Sequence, residues 1–312
     1  MADNTHPDAV TRRTLLAGSA ASVAVGLRTA AAQATVSPAL ACVERGRAAF
    51  YKYTAADNAL AREALLEAIS ADPLCARAWS LLAATYRQDW SFAWRPEPDL
   101  LAGEALEAAQ RAVALAREEP DPQPSLGAAL VQLAYVLSYL RRHAEARVVA
   151  DELMSRCPDY ADGWAVAAQV IIYAGEPREG LRRMVRAQAL RPQYPTHYAY
   201  HVGLGHYVVG FLEEAPAHYP VAEQHLRESL RLNTTFRPAL IYLAVVLWDQ
   251  GRRDQASAVM ADLRRLGRLQ AAPDPARFRQ YCWDRNPHAS AALTTHLTEV
   301  WMAAEAALVS AV

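Results

Sequence analysis

His197 and His201 stand four residues apart, and on a helix that spacing puts both imidazoles on one face, at a separation suited to a divalent metal. His206 lies five residues further on and points elsewhere unless Gly203 or Gly205 distorts the helix, while His218 and His225 approach from the following segment. Two uses of these rings stay open: a metal pair at His197 and His201, or imidazoles serving as flat packing groups. No acidic residue lies between His197 and His206, and no HExxH pattern is present. The sequence also has no phosphate-cradling glycine loop, no Gly-x-Ser-x-Gly elbow and no thiol–histidine pair in local sequence. No enzyme and no cofactor is expected on these grounds.

The histidines belong to a chain built by repetition. From Gly127 to Pro192 a pattern of 34 residues runs twice without a gap. With Gly127 as position 1, Leu130, Leu133, Ala134 and Leu137 fall at positions 4, 7, 8 and 11, Ala146, Ala150 and Leu153 at 20, 24 and 27, and Pro158 at 32. In the second copy Trp164, Ala167, Ala168, Ile171, Gly180, Met184, Ala187 and Pro192 take the same places. Small residues at 8 and 20 allow two helices to approach closely, and the proline at 32 ends the second helix because it cannot continue one. The pattern resembles the tetratricopeptide repeat, a helix-turn-helix unit of this length. That resemblance implies an all-α solenoid, a right-handed superhelix of about six units with a closing helix.

In this register the first pair begins near Pro38 and ends at Asp72-Pro73, and the next helix carries Trp79, Leu82, Ala83 and Tyr86. About 13 extra residues, centred on Asp89 to Pro96, then separate that helix from its partner at Glu104 to Ala116. Trp90, Phe92 and Trp94 in this insertion are either exposed anchors for a partner or rings folded back over the groove end. The Arg45-Gly46-Arg47 helix, the insertion after the Trp79 helix and the regular units beyond it resemble the C-terminal tetratricopeptide arrays of bacterial class III nucleotide cyclases. The residues that would carry cyclase or DNA-binding activity are not among those matched, so neither activity carries over. A fifth unit starts at Thr196, and Pro216 and Pro220 are expected to break or displace its second helix. The sixth is regular through Leu263, 273–287 reads as a loop or short helix, and Ala289 to Val309 reads as a closing helix. The expected division is 1–34, 35–271 for the solenoid and 272–312 for the C-terminal loop and cap.

Residues 1–34 have the order of an export leader. Thr11-Arg12-Arg13-Thr14-Leu15-Leu16 resembles the twin-arginine motif, the apolar run from Leu15 to Leu27 is too short to span a bilayer, and Ala32-Gln33-Ala34 suits cleavage after Ala34. The resemblance implies a folded chain delivered to the periplasm, not membrane-spanning in its mature form. A net charge of −1 and the absence of a basic cluster interleaved with aromatics argue against nucleic acid as a partner. Cys42, Cys75, Cys157 and Cys282 are scattered among different units without a CxxC pair; small core residues are favoured over disulfides, which the compartment would allow.

The tetratricopeptide resemblance further implies a concave groove lined by positions 2, 5, 9 and 12 of each first helix. Carried onto this sequence, those positions put Arg77, Arg87, Tyr135, Asp162, Gln169, His197, Tyr200, Tyr207 and Trp248 on the groove. Such a surface is aromatic and nearly uncharged toward its C-terminal end, and suits an apolar or ring-bearing ligand or an extended segment of a partner. The rings could equally pack between neighbouring units. The function expected is a periplasmic scaffold or adaptor for a protein partner, in particular an assembly factor or subunit of an exported redox enzyme. The alternative is a receptor for a small molecule or metal, held by the aromatic and histidine groove.

Overall fold

The structure is a computed structural model that describes residues 37–92, 94–121, 123–269 and 287–310. The leader with Arg12, Arg13 and the site after Ala34, the segment 270–286 and Cys282 lie outside the described residues. Among the described residues there are thirteen helices and no strand. They run as α1 (Pro38–Phe50), α2 (Ala55–Ala71), α3 (Ala76–Ser91), α4 (Pro98–Arg117), α5 (Gln123–Tyr139), α6 (His143–Arg156) and α7 (Ala161–Tyr173). Then come α8 (Pro177–Leu190), α9 (Thr196–Leu212), α10 (His218–Leu232), α11 (Arg237–Asp249), α12 (Arg253–Leu269) and α13 (Ala291–Ser310). No described helix is long and apolar enough to cross a membrane.

Six antiparallel pairs, α1–α2 to α11–α12, stack in sequence. Each helix packs on the next, and α3, α5, α7, α9 and α11 also pack on one another as an inner row. The small positions of the repeat make this possible. Ala134, Ala168, Ala146 and Ala256 are fully buried. At Gly180 an added Cβ would lie 2.7 Å from the Ala168 carbonyl oxygen and 2.4 Å from Ile172 Cγ1, so only glycine fits there. Units are tied by a recurring hydrogen bond: the indole N–H of Trp79 donates to the Pro73 carbonyl at 3.0 Å, and that of Trp164 to the Pro158 carbonyl at 2.8 Å. The turns within units repeat as well. Position 15 is left-handed in three of them, at Arg141 (φ 59°), Gly175 (φ 94°) and Gly251 (φ 76°), and the following N–H reaches back to the helix at Leu137, Ile171 or Leu247.

Three sequence expectations need correction. Helix α3 continues through Asp89 and Trp90 to Ser91, because Asp89 is held inside by the Asn58 amide at 2.7 Å and by Arg62. Helix α4 starts at Pro98 rather than Glu104, with proline in the first turn where its missing N–H is not needed. Helix α10 is continuous from His218, with Pro220 in its first turn, so the fifth unit is complete. Beyond α12, the apolar face of α13 covers the last unit, burying Leu293, Leu297, Val300 and Trp301 against α12 and α11. Cys42, Cys75 and Cys157 form no disulfide with one another.

Candidate functional site

The inner row of helices lines a half-open cavity of about 280 Å³. Its closure depends on chain segments far apart in sequence. Trp90 is buried with Leu101 and Ala102 against Tyr139, and Phe92 stacks on Trp94 at 4.9 Å between ring centres, so the insertion folds back instead of standing out. Arg237, at the start of α11, then covers Phe92 at 5.5 Å. Tyr51, Lys52 and Tyr53 of the α1–α2 turn line a smaller pocket with Asn233, Phe236 and Pro238 at the same place. Pro287 adds to the main lining, and its neighbour His288 is buried with Nε2 2.8 Å from the Tyr242 hydroxyl and its ring edge-on to Tyr173.

The walls are mostly rings. Tyr139 and Tyr173 meet edge to face at 6.2 Å, Tyr200 meets Phe236 at 5.6 Å and Tyr242 at 5.9 Å, and all five line the cavity. Burial pushes the phenols of Tyr135, Tyr173 and Tyr200 above their ordinary range, so they are neutral donors and acceptors at physiological pH. The polar groups among them are few and under-used. Gln88 is 1% exposed, and neither end of its amide has a hydrogen-bond partner among the described residues. Gln169, 4% exposed, donates from Nε2 to the Tyr173 hydroxyl at 2.8 Å and leaves Oε1 without a donor. Gln132 Oε1, His201 Nδ1 and Arg87 Nε are likewise buried without partners. Native interiors rarely leave such groups empty-handed, because each costs about 1–3 kcal/mol.

Charge in the cavity is confined to a few places. The Arg87 guanidinium lies 4.8 Å from the centre of the Tyr135 ring. Asp162 is engaged: Arg191 approaches at 3.2 Å, the Tyr198 hydroxyl donates at 2.8 Å, and His197 Nε2 is 3.9 Å away. Burial lowers the His197 pKa to about 4 against the opposing pull of Asp162. His201 is driven well below its ordinary value by burial and by His197.

The residues predicted for the groove divide into two groups. Arg87, Tyr135, Asp162, Gln169, His197 and Tyr200 line the cavity, as does His201. Arg77, Tyr207 and Trp248 are not in its lining. Arg77 pairs with Glu44 at 2.8 Å on the solvent side, Tyr207 is fully buried with its hydroxyl 3.2 Å from Asp249, and Trp248 lies under Arg253 at 4.2 Å. The groove positions taken from the family missed position 13, where Gln88, Tyr139 and Tyr173 recur in three successive units, and Arg237 at position 1 of the sixth. The signal was present. Positions 6 and 13 are two helical turns apart and share a face, and His201, Gln132 and Val166 at position 6 line the same cavity.

The histidines form two groups. His197 and His201 meet edge to face at 5.6 Å inside the cavity wall. On the other side of α9, His206 Nδ1 is 2.8 Å from His218 Nδ1, and the His206 and His225 rings are parallel at 6.1 Å. A separation of 2.8 Å is that of a direct hydrogen bond; two nitrogens about 2.1 Å from one tetrahedral metal stand roughly 3.4 Å apart. Among the described residues no group of three or more His, Cys, Asp or Glu side chains is arranged to hold a metal ion.

Several solved structures are similar to this one. The human IFIT1 dimer with PPP-AAAA aligns with a TM-score of 0.60 at 18% identity, over 79% of this chain and 52% of IFIT1. The human IFIT1 dimer with m7Gppp-AAAA gives 0.60 and 18% over 79% of this chain and 53% of its own. TTC0263, a thermophilic TPR protein in Thermus thermophilus, aligns at 23% identity with a TM-score of 0.46, over 59% of this chain and 90% of its own. The chain therefore spans about half the length of IFIT1, and the likeness is one of fold. No family model and no curated protein matches the sequence. The fold is an all-α tetratricopeptide solenoid.

Proposed function

We propose that this chain is a non-enzymatic binding protein whose partly covered groove takes one compact, ring-bearing organic ligand. The observation that carries the reading is the pair of buried glutamines, Gln88 and Gln169, presenting amide atoms without partners to an aromatic-walled cavity. Apolar walls with a few convergent polar groups are what small-molecule sites have, and a cavity near 280 Å³ suits one or two fused rings. The twin-arginine-like leader sends the mature chain to the periplasm in this account, and the ligand is met there.

The scaffold reading, including service to an exported redox enzyme, draws its support from the repeat fold. The ligand reading takes precedence because Phe92 and Arg237 meet across the groove that an extended partner segment would follow. A phosphate-rich chain such as the PPP-AAAA of the IFIT1 structure is not proposed here: a triphosphate brings several negative charges, and this cavity offers Arg87 and Arg237 beside Asp162.

Melting curves with a panel of compact arenes and heteroarenes test the reading. At least one class raises Tm in the parent chain. Gln88→Leu, which replaces an unsatisfied amide with an apolar group of similar size, raises the Tm of the unliganded chain by a few degrees and removes the response to ligand. A Gln88→Leu chain that melts lower and responds to ligand as the parent does would contradict it.

A further inference from the structure

We infer that the ligand of this groove is a ring-bearing monocarboxylate that also carries an N–H or O–H donor; the inference rests on the binding reading above and names its chemistry. The charge account of the cavity leads to the carboxylate. Asp162 is neutralised by Arg191 and held by Tyr198, and burial keeps His197, His201 and the wall tyrosines uncharged at neutral pH. Arg237 lies over Phe92 and has a further partner of its own. Arg87 remains: it faces the cavity over Tyr135, makes no ion pair among the described residues, and has a buried Nε without an acceptor. A half-buried guanidinium whose Nε is covered and without an acceptor gains from a counter-charge, and a single carboxylate supplies one negative charge with a planar pair of acceptors that fits the guanidinium fork. A phosphate or diphosphate would bring two or more negative charges to a cavity whose lining holds Arg87 and Arg237 with Asp162 beside them.

The hydrogen-bond account leads to the donor. Gln132, Gln169 and Gln88 each present a carbonyl oxygen without a donor, and Gln169 meets the Tyr173 hydroxyl through Nε2. Three unfilled acceptors beside one unfilled cation call for a ligand that accepts at one end and donates at the other. The aromatic walls take the ring between the two ends.

Isothermal titration of the mature chain with matched probes separates this inference from the reading beneath it. The probes are 4-hydroxyphenylacetate and indole-3-acetate, their carboxamides, phenylacetate, and a short peptide ending in tyrosine. The acids bind about tenfold or more tighter than their isosteric amides, and 4-hydroxyphenylacetate binds tighter than phenylacetate. Arg87→Met abolishes the preference for the acid while leaving the amide affinity in place, and Arg87→Lys restores part of it; if the Met variant does not fold, Arg87→Gln serves. Acids and amides that bind alike overturn the inference and leave the binding reading standing. Failure of every ring-bearing probe overturns both. A tyrosine-ended peptide that binds tighter than the free acids keeps the chemistry and overturns a free small molecule as its source.

Discussion

Arg237, the first residue of α11, lies with its guanidinium carbon 5.5 Å above the ring of Phe92, which closes helix α3. The contact joins the second unit of the solenoid to the sixth. A stack of helical pairs has contacts only between neighbours as a rule. Here the insertion after α3 supplies a ring that bridges the concave side, and the space beneath it becomes a cavity lined by Arg87, Tyr135, Gln169 and Tyr200. The insertion is thus the element that converts an open groove into a partly covered cavity.

Phe92→Ala therefore acts on both stability and binding. It removes the cation–π contact, worth about 0.5–1 kcal/mol, and the stack on Trp94. A fall in Tm of several degrees and at least tenfold weaker ligand binding are expected, measured by calorimetry and titration. Unchanged binding in a folded variant would mean that the bridge does not form the site.

Arg141 offers a change of opposite sign. It occupies the left-handed turn position that Gly175 and Gly251 fill in other units. Relief of a left-handed conformation worth roughly 1 kcal/mol outweighs the added freedom of the unfolded chain, so Arg141→Gly leaves stability equal or higher. A clear drop in Tm would show that the Arg141 side chain stabilises more than its backbone costs.

Acid should destabilise the chain before its carboxylates titrate. Burial holds His197 and His206 near 4, His288 near 3 and His201 well below its ordinary value, against 6.5 in the unfolded chain. Below that value the unfolded chain binds protons that the folded chain refuses. Stability is present in full above about 6.5 and is lost as pH falls toward 4, by up to about 1.4 kcal/mol per pH unit for the buried His201 and His288 and by less for the partly exposed His197 and His206. His296, raised by its bond to Asp249, works the other way and offsets part of the loss. Tm measured from pH 8 to pH 5 is predicted to fall steadily below about 6.5; a flat profile would count against neutral buried histidines.

Export is tested at the leader. Replacing Arg12 and Arg13 together with lysine is expected to leave the precursor in the cytoplasm, read by fractionation and by the loss of the mature band. Equal periplasmic yield from the double variant would rule out the twin-arginine route.

The fold could be read from the sequence because repetition constrains each position many times over. The 34-residue spacing placed Ala134, Ala168 and Gly180 at close helix contacts, where each is buried or admits no Cβ. It also held the information for the second histidine group. His206 falls at position 11, where Leu137 and Ile171 face the partner helix in other units, so it meets His218 and His225 on α10. The bridge between Phe92 and Arg237 could not be read in this way. It depends on how far six units curl, and small angles between neighbouring helices add up over the whole stack. Position 13 is illegible for a simpler reason: it lies outside the family's groove positions 2, 5, 9 and 12, although in this chain Gln88, Tyr139 and Tyr173 stand there and line the cavity.

Native mass spectrometry of the chain, recovered from its own cells under mild conditions, tests the central claim most directly. The account predicts a single chain carrying one small organic molecule, with a mass that suits one or two rings and a carboxylate, and its loss on mild activation. A chain of bare polypeptide mass, or one recovered only with a second polypeptide, would contradict it.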